Sequence, residues 1–167
     1  MPRRYPSDEV GLFVAIGFKN VNRVRRAVYE ECKANGYELV SYVSSKALIV
    51  DDDVSIGDNC FILEANVVQT GARIGNDVVL WSGNHIGHDA VIGDHCFLSS
   101  HVVVSGHVVV EENCFIGVNA TIRDRVRIAR DCVVGAGALI MRDTAPGEVY
   151  AVRGTSAAPI KSSELSL

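Results

Sequence analysis

The stretch NHIGHDAVIGDHC, residues 84–96, sets three histidines, two aspartates and a cysteine within thirteen positions. These are the side chains that ligate transition metals. They also move protons near neutral pH, histidine above all, because its ordinary pKa lies close to neutrality. Which of the two chemistries is open to them depends on which side chains point the same way. That is decided by the elements that carry them.

An aliphatic residue recurs every six positions from Val50 through Ile56, Ile62 and Val68 to Ile140, sixteen hexads without an insertion. Four places after it a small or thin residue is usual, such as Cys60, Ala72, Ala90 or Ala120, and glycine often follows it directly, as at Gly57, Gly75, Gly87 and Gly117. Six residues are too few for a hairpin or a helical repeat, but they suffice for one short strand and a corner. Three such units close a triangular coil of eighteen residues. Stacked coils then pair as parallel strands about 4.8 Å apart. Sixteen hexads predict about five coils. Cys96, Cys114 and Cys132 are spaced by eighteen at the inward position and read as packing. With five cysteines and no CxxC, neither a disulfide framework nor a zinc knuckle is expected.

The flanks read differently. Residues 1–49 are expected to form a small β-α-β unit, 50–145 the coils, and 146–167 a C-terminal strand and tail. GLFVAIGF (11–18) reads as a buried strand and YELVSYVS (37–44) as another. Between them Asn20 can cap a helix reaching about Ala34, with Val21, Val24, Ala27, Val28 and Cys32 on one face and Gly36 at its end. After Thr144 the register stops, and PGEVYAVRGTSAAPIK reads as a turn, a short strand and a tail.

Apolar residues make up 48% and charged residues 22%, with a formal net charge of −4. No basic face for nucleic acid or a membrane surface is expected, and the clusters Arg3-Arg4 and Arg123 to Arg130 read as solvated charge. No apolar run approaches the ~20 residues of a membrane span. The start MPRRYPSDEV lacks the apolar segment of a signal peptide, so the cytoplasm is the expected location.

Phase within the repeat sorts the histidines. His88 falls two places after Ile86 and His95 three places after Ile92, on different corners of the triangle, while Cys96 points inward. They cannot meet on one ion within the chain, and no metal is expected there. His95 shares a column with Asn59, Asp77, Asn113 and Asp131, all turn formers, and reads as structural. His101 shares one with Gly83, Asn119 and Gly137, again a turn signature. His107 lies one coil beyond Asp89, where the two can pair as structure or as support for a site. His88 differs, because eighteen residues on stands Gly106, which leaves the imidazole uncovered beside a backbone N–H. That offers a general base next to an oxyanion donor. The plain alternative is a surface histidine beside a turn glycine.

The progression GHDAVIGD, SGHV, NCFIGVNATI within residues 37–160 resembles the hexapeptide-repeat sugar acyltransferases of the sialic-acid O-acetyltransferase and bacillosamine N-acetyltransferase type. The fold this implies is mainly β, a left-handed parallel β-helix with a β-α-β remnant in front. The left hand comes from the resemblance, since general crossover rules favour the right. The resemblance implies acetyl-CoA as donor and, as acceptor, an amine or hydroxyl of a sugar expected to be nucleotide-linked, in cell-surface polysaccharide biosynthesis. No metal and no covalent intermediate are implied. His88 would be the base, Asp89 its acid partner, and the Gly106 amide would face the thioester carbonyl. Backbone around Val118, Asn119, Gly135 and Ala136 would line the pantetheine arm. A homotrimer would place each site between neighbouring chains.

The chain departs from the resembling enzymes in having Phe97 where some carry a second histidine, and in lacking the glycine-rich turn of their nucleotide-binding domain. A γ-type carbonic anhydrase with metal ligands from two chains, and a binding or scaffold module without chemistry, stay open as alternatives.

Overall fold

The computed structural model describes residues 5–50 and 52–164, so Arg3 and Arg4 lie outside the described residues. Two-residue strands set six positions apart, from Ser55–Ile56 to Leu139–Ile140, wind into a parallel solenoid of about six turns with little helix. Three faces result. The first holds seven strands, from Tyr42–Val43 to Val149–Tyr150; the second holds six, from Leu48–Ile49 to Leu139–Ile140; the third holds five, from Ser55–Ile56 to Arg127–Ile128. Between Ser55 and Ile140 every pairing joins residues eighteen apart, as Ile86 with Val104 and Ile92 with Val110.

Alternation along each strand sends its second residue inward. Ile62, Leu80, Leu98, Ile116 and Val134 are fully buried, each worth roughly 1.5–3 kcal/mol in burial. The residue three places on takes a left-handed backbone: Asp77, Asp89, His95, His101, His107 and Asn113 have φ between 54° and 61°. Asn and Asp tolerate that region better than most side chains, which is why such residues fill the corners. One place further the chain points inward again. There Cys60, Cys96, Cys114 and Cys132 are fully buried, and their thiols donate to carbonyls of Gly75, Glu111, Ala129 and Ala145. Burial pushes the Cys60 thiol up to about 11, so this column packs rather than reacts.

The series begins differently from expectation. The first strand of the second face is Leu48–Ile49, and Val50, expected to point inward, is half exposed. Leu48 and Ile49 pair with Val67 and Val68, nineteen residues on, so the intervening corner carries an extra residue. Asp53 stabilises this wider corner by accepting from the Thr70 hydroxyl and from the Gly71 N–H at 2.9 Å. The ladder also runs past 50–145 at both ends, because Tyr42–Val43 and Val149–Tyr150 extend the first face.

In the N-terminal unit β1 (Gly11–Leu12) pairs in parallel with β2 (Glu38–Leu39) on either side of α1 (Arg23–Ala34) in the chain. The strand expected over 11–18 stops at Leu12. From Phe13 the segment lies on the solenoid instead, with Phe13 against Phe61 and Phe18 against Phe97 and Phe115 at ring separations of 5.5, 5.1 and 5.0 Å. The N-cap of α1 is Asn22 rather than Asn20, and its side chain donates to the Cys114 carbonyl at 2.9 Å instead of capping the helix. Val28 and Cys32 pack toward the small core of Val14, Tyr29 and Leu39, but Ala27 is exposed and the buried residues of α1 are Arg25 and Tyr29.

The surface beneath explains this, for α1 rests on the polar corner rather than on an apolar face. Arg25 Nε reaches Asp77 at 3.0 Å and its Nη2 donates to the His95 and Cys96 carbonyls, while the Tyr29 hydroxyl donates to Asp58 at 2.6 Å. The unit thus covers the corner between the third and first faces. The corner that carries His88 stays open.

Candidate active site

His88 stands in the corner between the second and third faces, two residues after the inward Ile86, and its side chain is 50% exposed. Its backbone N–H donates to Gln69 Oε1 of the adjoining coil at 3.0 Å. Asp89 follows with φ 55°, which turns its carboxylate back toward the ring, and Asp89 Oδ2 lies 2.9 Å from His88 Nδ1. A Cβ at Gly71 would come within 2.5 Å of Asp89 Oδ1, so the glycine gives the carboxylate its seat.

The hydrogen bond from His88 holds the Asp89 carboxyl below the usual range, and nearby His107, His88 and Arg73 charges add to it against a smaller desolvation penalty. As an anion Asp89 can only accept, so in a neutral His88 ring this bond favours the tautomer with its proton on Nδ1 and a bare Nε2.

Gly106 lies one coil on, against that nitrogen. A Cβ there would stand 2.5 Å from His88 Nε2 and 2.8 Å from Cε1, so any side chain would displace the imidazole. Gly87 permits the same close stacking, since its own Cβ would meet the Gly106 nitrogen at 2.7 Å. The Gly106 carbonyl accepts from the Arg125 N–H at 3.0 Å, but the Gly106 N–H donates to no acceptor among the described residues. An imidazole nitrogen and a spare amide therefore adjoin on one exposed corner.

His107 approaches from the far side. Its Nδ1 is 3.7 Å from Asp89 Oδ2, ion-pair range rather than a hydrogen bond, and its ring meets His88 edge-on with centroids 4.8 Å apart. Among the described residues His88, Asp89 and His107 form a group able to hold a metal ion, with ligand atoms within 4.8 Å of one another. The 84–96 stretch alone makes no such group. His95 is held beneath α1 with Nδ1 2.9 Å from Asp77 Oδ2, and Cys96 faces the core.

Val118, Asn119, Gly135 and Ala136 lie on another corner, between the first and second faces, and the chain does not bring them to His88. Val118 and Ala136 are exposed, and their N–H groups find no acceptor among the described residues. The Asn119 N–H donates to Ser100 and the Gly135 N–H to Tyr150, because the closing strand Val149–Tyr150 pairs over it. Two of the four thus offer free donors to an extended arm. Phe97 is buried against Phe18 and Phe115, facing the N-terminal unit rather than the site.

Sequence reasoning missed Arg25 and the buried pair Asn66 and Asn84. Both asparagines sit four places after an inward aliphatic, where their phase already signalled burial. Asn66 Oδ1 accepts from the Asn84 N–H at 3.2 Å, and Asn84 Oδ1 from the Val102 N–H at 2.8 Å. An apolar cavity of about 210 Å³, lined by residues 13–17 with Phe61, Val79, Trp81 and Phe97, lies on the first face, away from His88.

Family models match residues 71–106 and 107–142 as bacterial transferase hexapeptide (six repeats) and 53–87 as the hexapeptide repeat of succinyl-transferase. Among solved structures the chain is similar to a histidine-to-asparagine variant of perosamine N-acetyltransferase from Caulobacter crescentus in complex with CoA and GDP-perosamine. The identity is 28% and the TM-score 0.80, over 84% of this chain and 65% of that one. PerB from the same organism, with the same two ligands, gives 30% identity and a TM-score of 0.77 over 83% and 64%. The acetyltransferase domain of PglB from Neisseria gonorrhoeae FA1090, in complex with acetyl coenzyme A, gives 26% and 0.80 over 87% and 69%.

The chain spans just under two thirds of the length of the perosamine enzyme. A comparison with curated proteins finds no match. Among the described residues no helix is long and apolar enough to cross a membrane. With hexapeptide models matching from residue 53 to 142 and a fold shared with sugar N-acetyltransferases, the chain belongs to the hexapeptide-repeat proteins of the bacterial transferase type.

Proposed function

We propose that the protein transfers an acetyl group from acetyl-CoA to an amine or hydroxyl of a nucleotide-linked sugar, with His88 as general base. One observation carries this: an exposed imidazole whose Nδ1 is held by Asp89 and whose Nε2 lies against a glycine with an unused N–H. The acceptor attacks the thioester carbonyl carbon while Nε2 takes its proton. The Gly106 N–H donates to the carbonyl oxygen as it gains negative charge. The C–S bond then breaks and coenzyme A leaves as a thiolate, with no covalent bond to the enzyme. Most of the rate comes from holding two substrates in line. The CoA and GDP-perosamine bound to the perosamine enzyme support this pairing of donor and acceptor and favour an amine.

The free amides of Val118 and Ala136 suit the pantetheine arm, yet they lie one side of the triangle away from His88. A complete site therefore needs a second chain, whose corner bearing Val118 meets the corner bearing His88 of its neighbour. The second face, which joins these corners, exposes Leu48, Val103 and Leu139, an apolar surface suited to that contact. Because the two corners differ, the contact is heterologous and closes as a ring. We take that ring to be a homotrimer, acting in the cytoplasm on precursors of cell-surface polysaccharide.

The test is direct. Chelator-treated protein, given acetyl-CoA and a panel of nucleotide-linked amino sugars, should yield a product heavier by one acetyl group. No transfer, together with no thermal shift from any acyl-CoA, would leave a scaffold module. No transfer, but CO₂ hydration that appears only once zinc is restored, would favour metal chemistry of the carbonic-anhydrase kind.

A further inference from the structure

His107 has no part in the transfer just described, yet it completes a set of ligands. Its Nδ1 and that of His88 aim at the same carboxylate oxygen of Asp89, from 3.7 and 2.9 Å. In a tetrahedral zinc site with bonds of about 2.0–2.1 Å, neighbouring ligand atoms lie roughly 3.3 Å apart. These two separations fall on either side of that value, and the ligand atoms of all three residues lie within 4.8 Å of one another, so side-chain movements without a change of backbone would close the site. Two imidazoles and one carboxylate suit Zn²⁺ and not Mg²⁺, which prefers an octahedron of oxygens. The half-exposed side chains of His88 and Asp89 leave a fourth position facing solvent. Asp89 and His107 share a backbone φ of 55°, which directs both side chains to this spot.

We propose that this corner is an inhibitory Zn²⁺ site, in which His88, Asp89 and His107 bind the ion through Nδ1, carboxylate oxygen and Nδ1 and halt the transfer. The inhibition rests on the reading of His88 as base. Its cause is the tautomer. A neutral imidazole bound to metal through Nδ1 carries its proton on Nε2, and that is the atom lying against Gly106. Once protonated there, it cannot take a proton from the acceptor. The ion thus reverses the arrangement that Asp89 maintains in its absence.

Protein stripped with EDTA is titrated with ZnCl₂ against a chromophoric zinc chelator, without CoA, so that binding is read apart from activity. Wild type is expected to take one tight equivalent per chain, undisturbed by excess Mg²⁺. His107→Asn should bind at least about tenfold more weakly, and asparagine suits the left-handed backbone at that position. Zn²⁺ should slow wild-type transfer roughly 100-fold or more, with EDTA restoring it, while His107→Asn at the same Zn²⁺ keeps its own metal-free rate. Equal zinc affinity in the two proteins, or zinc bound with transfer undiminished, overturns the proposal. Metal-free His88→Asn transferring at the wild-type rate would instead sink the base reading, and that result is obtained without any metal.

Discussion

A methyl group at position 106 would stand 2.5 Å from His88 Nε2, closer than side-chain atoms approach. Gly106 has no left-handed backbone to strain, so Gly106→Ala should fold and yet push the imidazole from its place. Transfer is expected to fall by at least about tenfold with the melting temperature nearly unchanged, as steady-state rates and thermal unfolding would show. His95→Ala should do the reverse. Its ring is tied to Asp77 beneath α1, so losing it should cost about 1–3 kcal/mol of stability and leave the turnover of the folded protein intact. At this scale the site was legible because His88 and Gly106 stand eighteen residues apart, one full coil. Arg25 was not, because its partner Asp77 lies 52 residues away on another element, and no local pattern marks a helix that docks on a polar corner.

The N-terminal unit docks on the coils through ring contacts of Phe13 and Phe18, hydrogen bonds of Asn22 and Tyr29, and a buried ion pair. Arg25 and Asp77 are 1% and 0% exposed, and burial lowers the Arg25 pKa against the pull of the carboxylate. Arg25→Ala would leave the buried Asp77 carboxylate with only His95 and Asn59 as partners among the described residues and without its countercharge, at a cost of about 3–5 kcal/mol. Amide exchange in α1 should accelerate strongly while the strands from Val67 onward stay protected. Uniform acceleration through the solenoid would show that the unit is integral to the coils rather than docked on them. The strands could be read from the sequence because a single rule, an inward aliphatic every six residues, governs each one independently. The corner after Ile49 could not, since its extra residue is accommodated by Asp53 bonding to Thr70 and Gly71 of the next coil.

For the whole molecule, the two halves of the proposed site lie on different corners of one chain, so activity and assembly should fall together. Light scattering is expected to give three times the mass of one chain. Leu139→Asp, at an exposed apolar position on the second face, should lower that mass and transfer in parallel while circular dichroism keeps its β signature. The parallel coils followed from spacing alone, whereas the partner for the second face could not, because a single chain's period says nothing of its neighbours. The measurement closest to the central claim is steady-state acetyl transfer by metal-free wild type and His88→Asn, side by side. The expected result is a kcat lower by roughly 10²–10⁴ with acetyl-CoA binding and melting temperature preserved. Turnover of His88→Asn within a few-fold of wild type would contradict it.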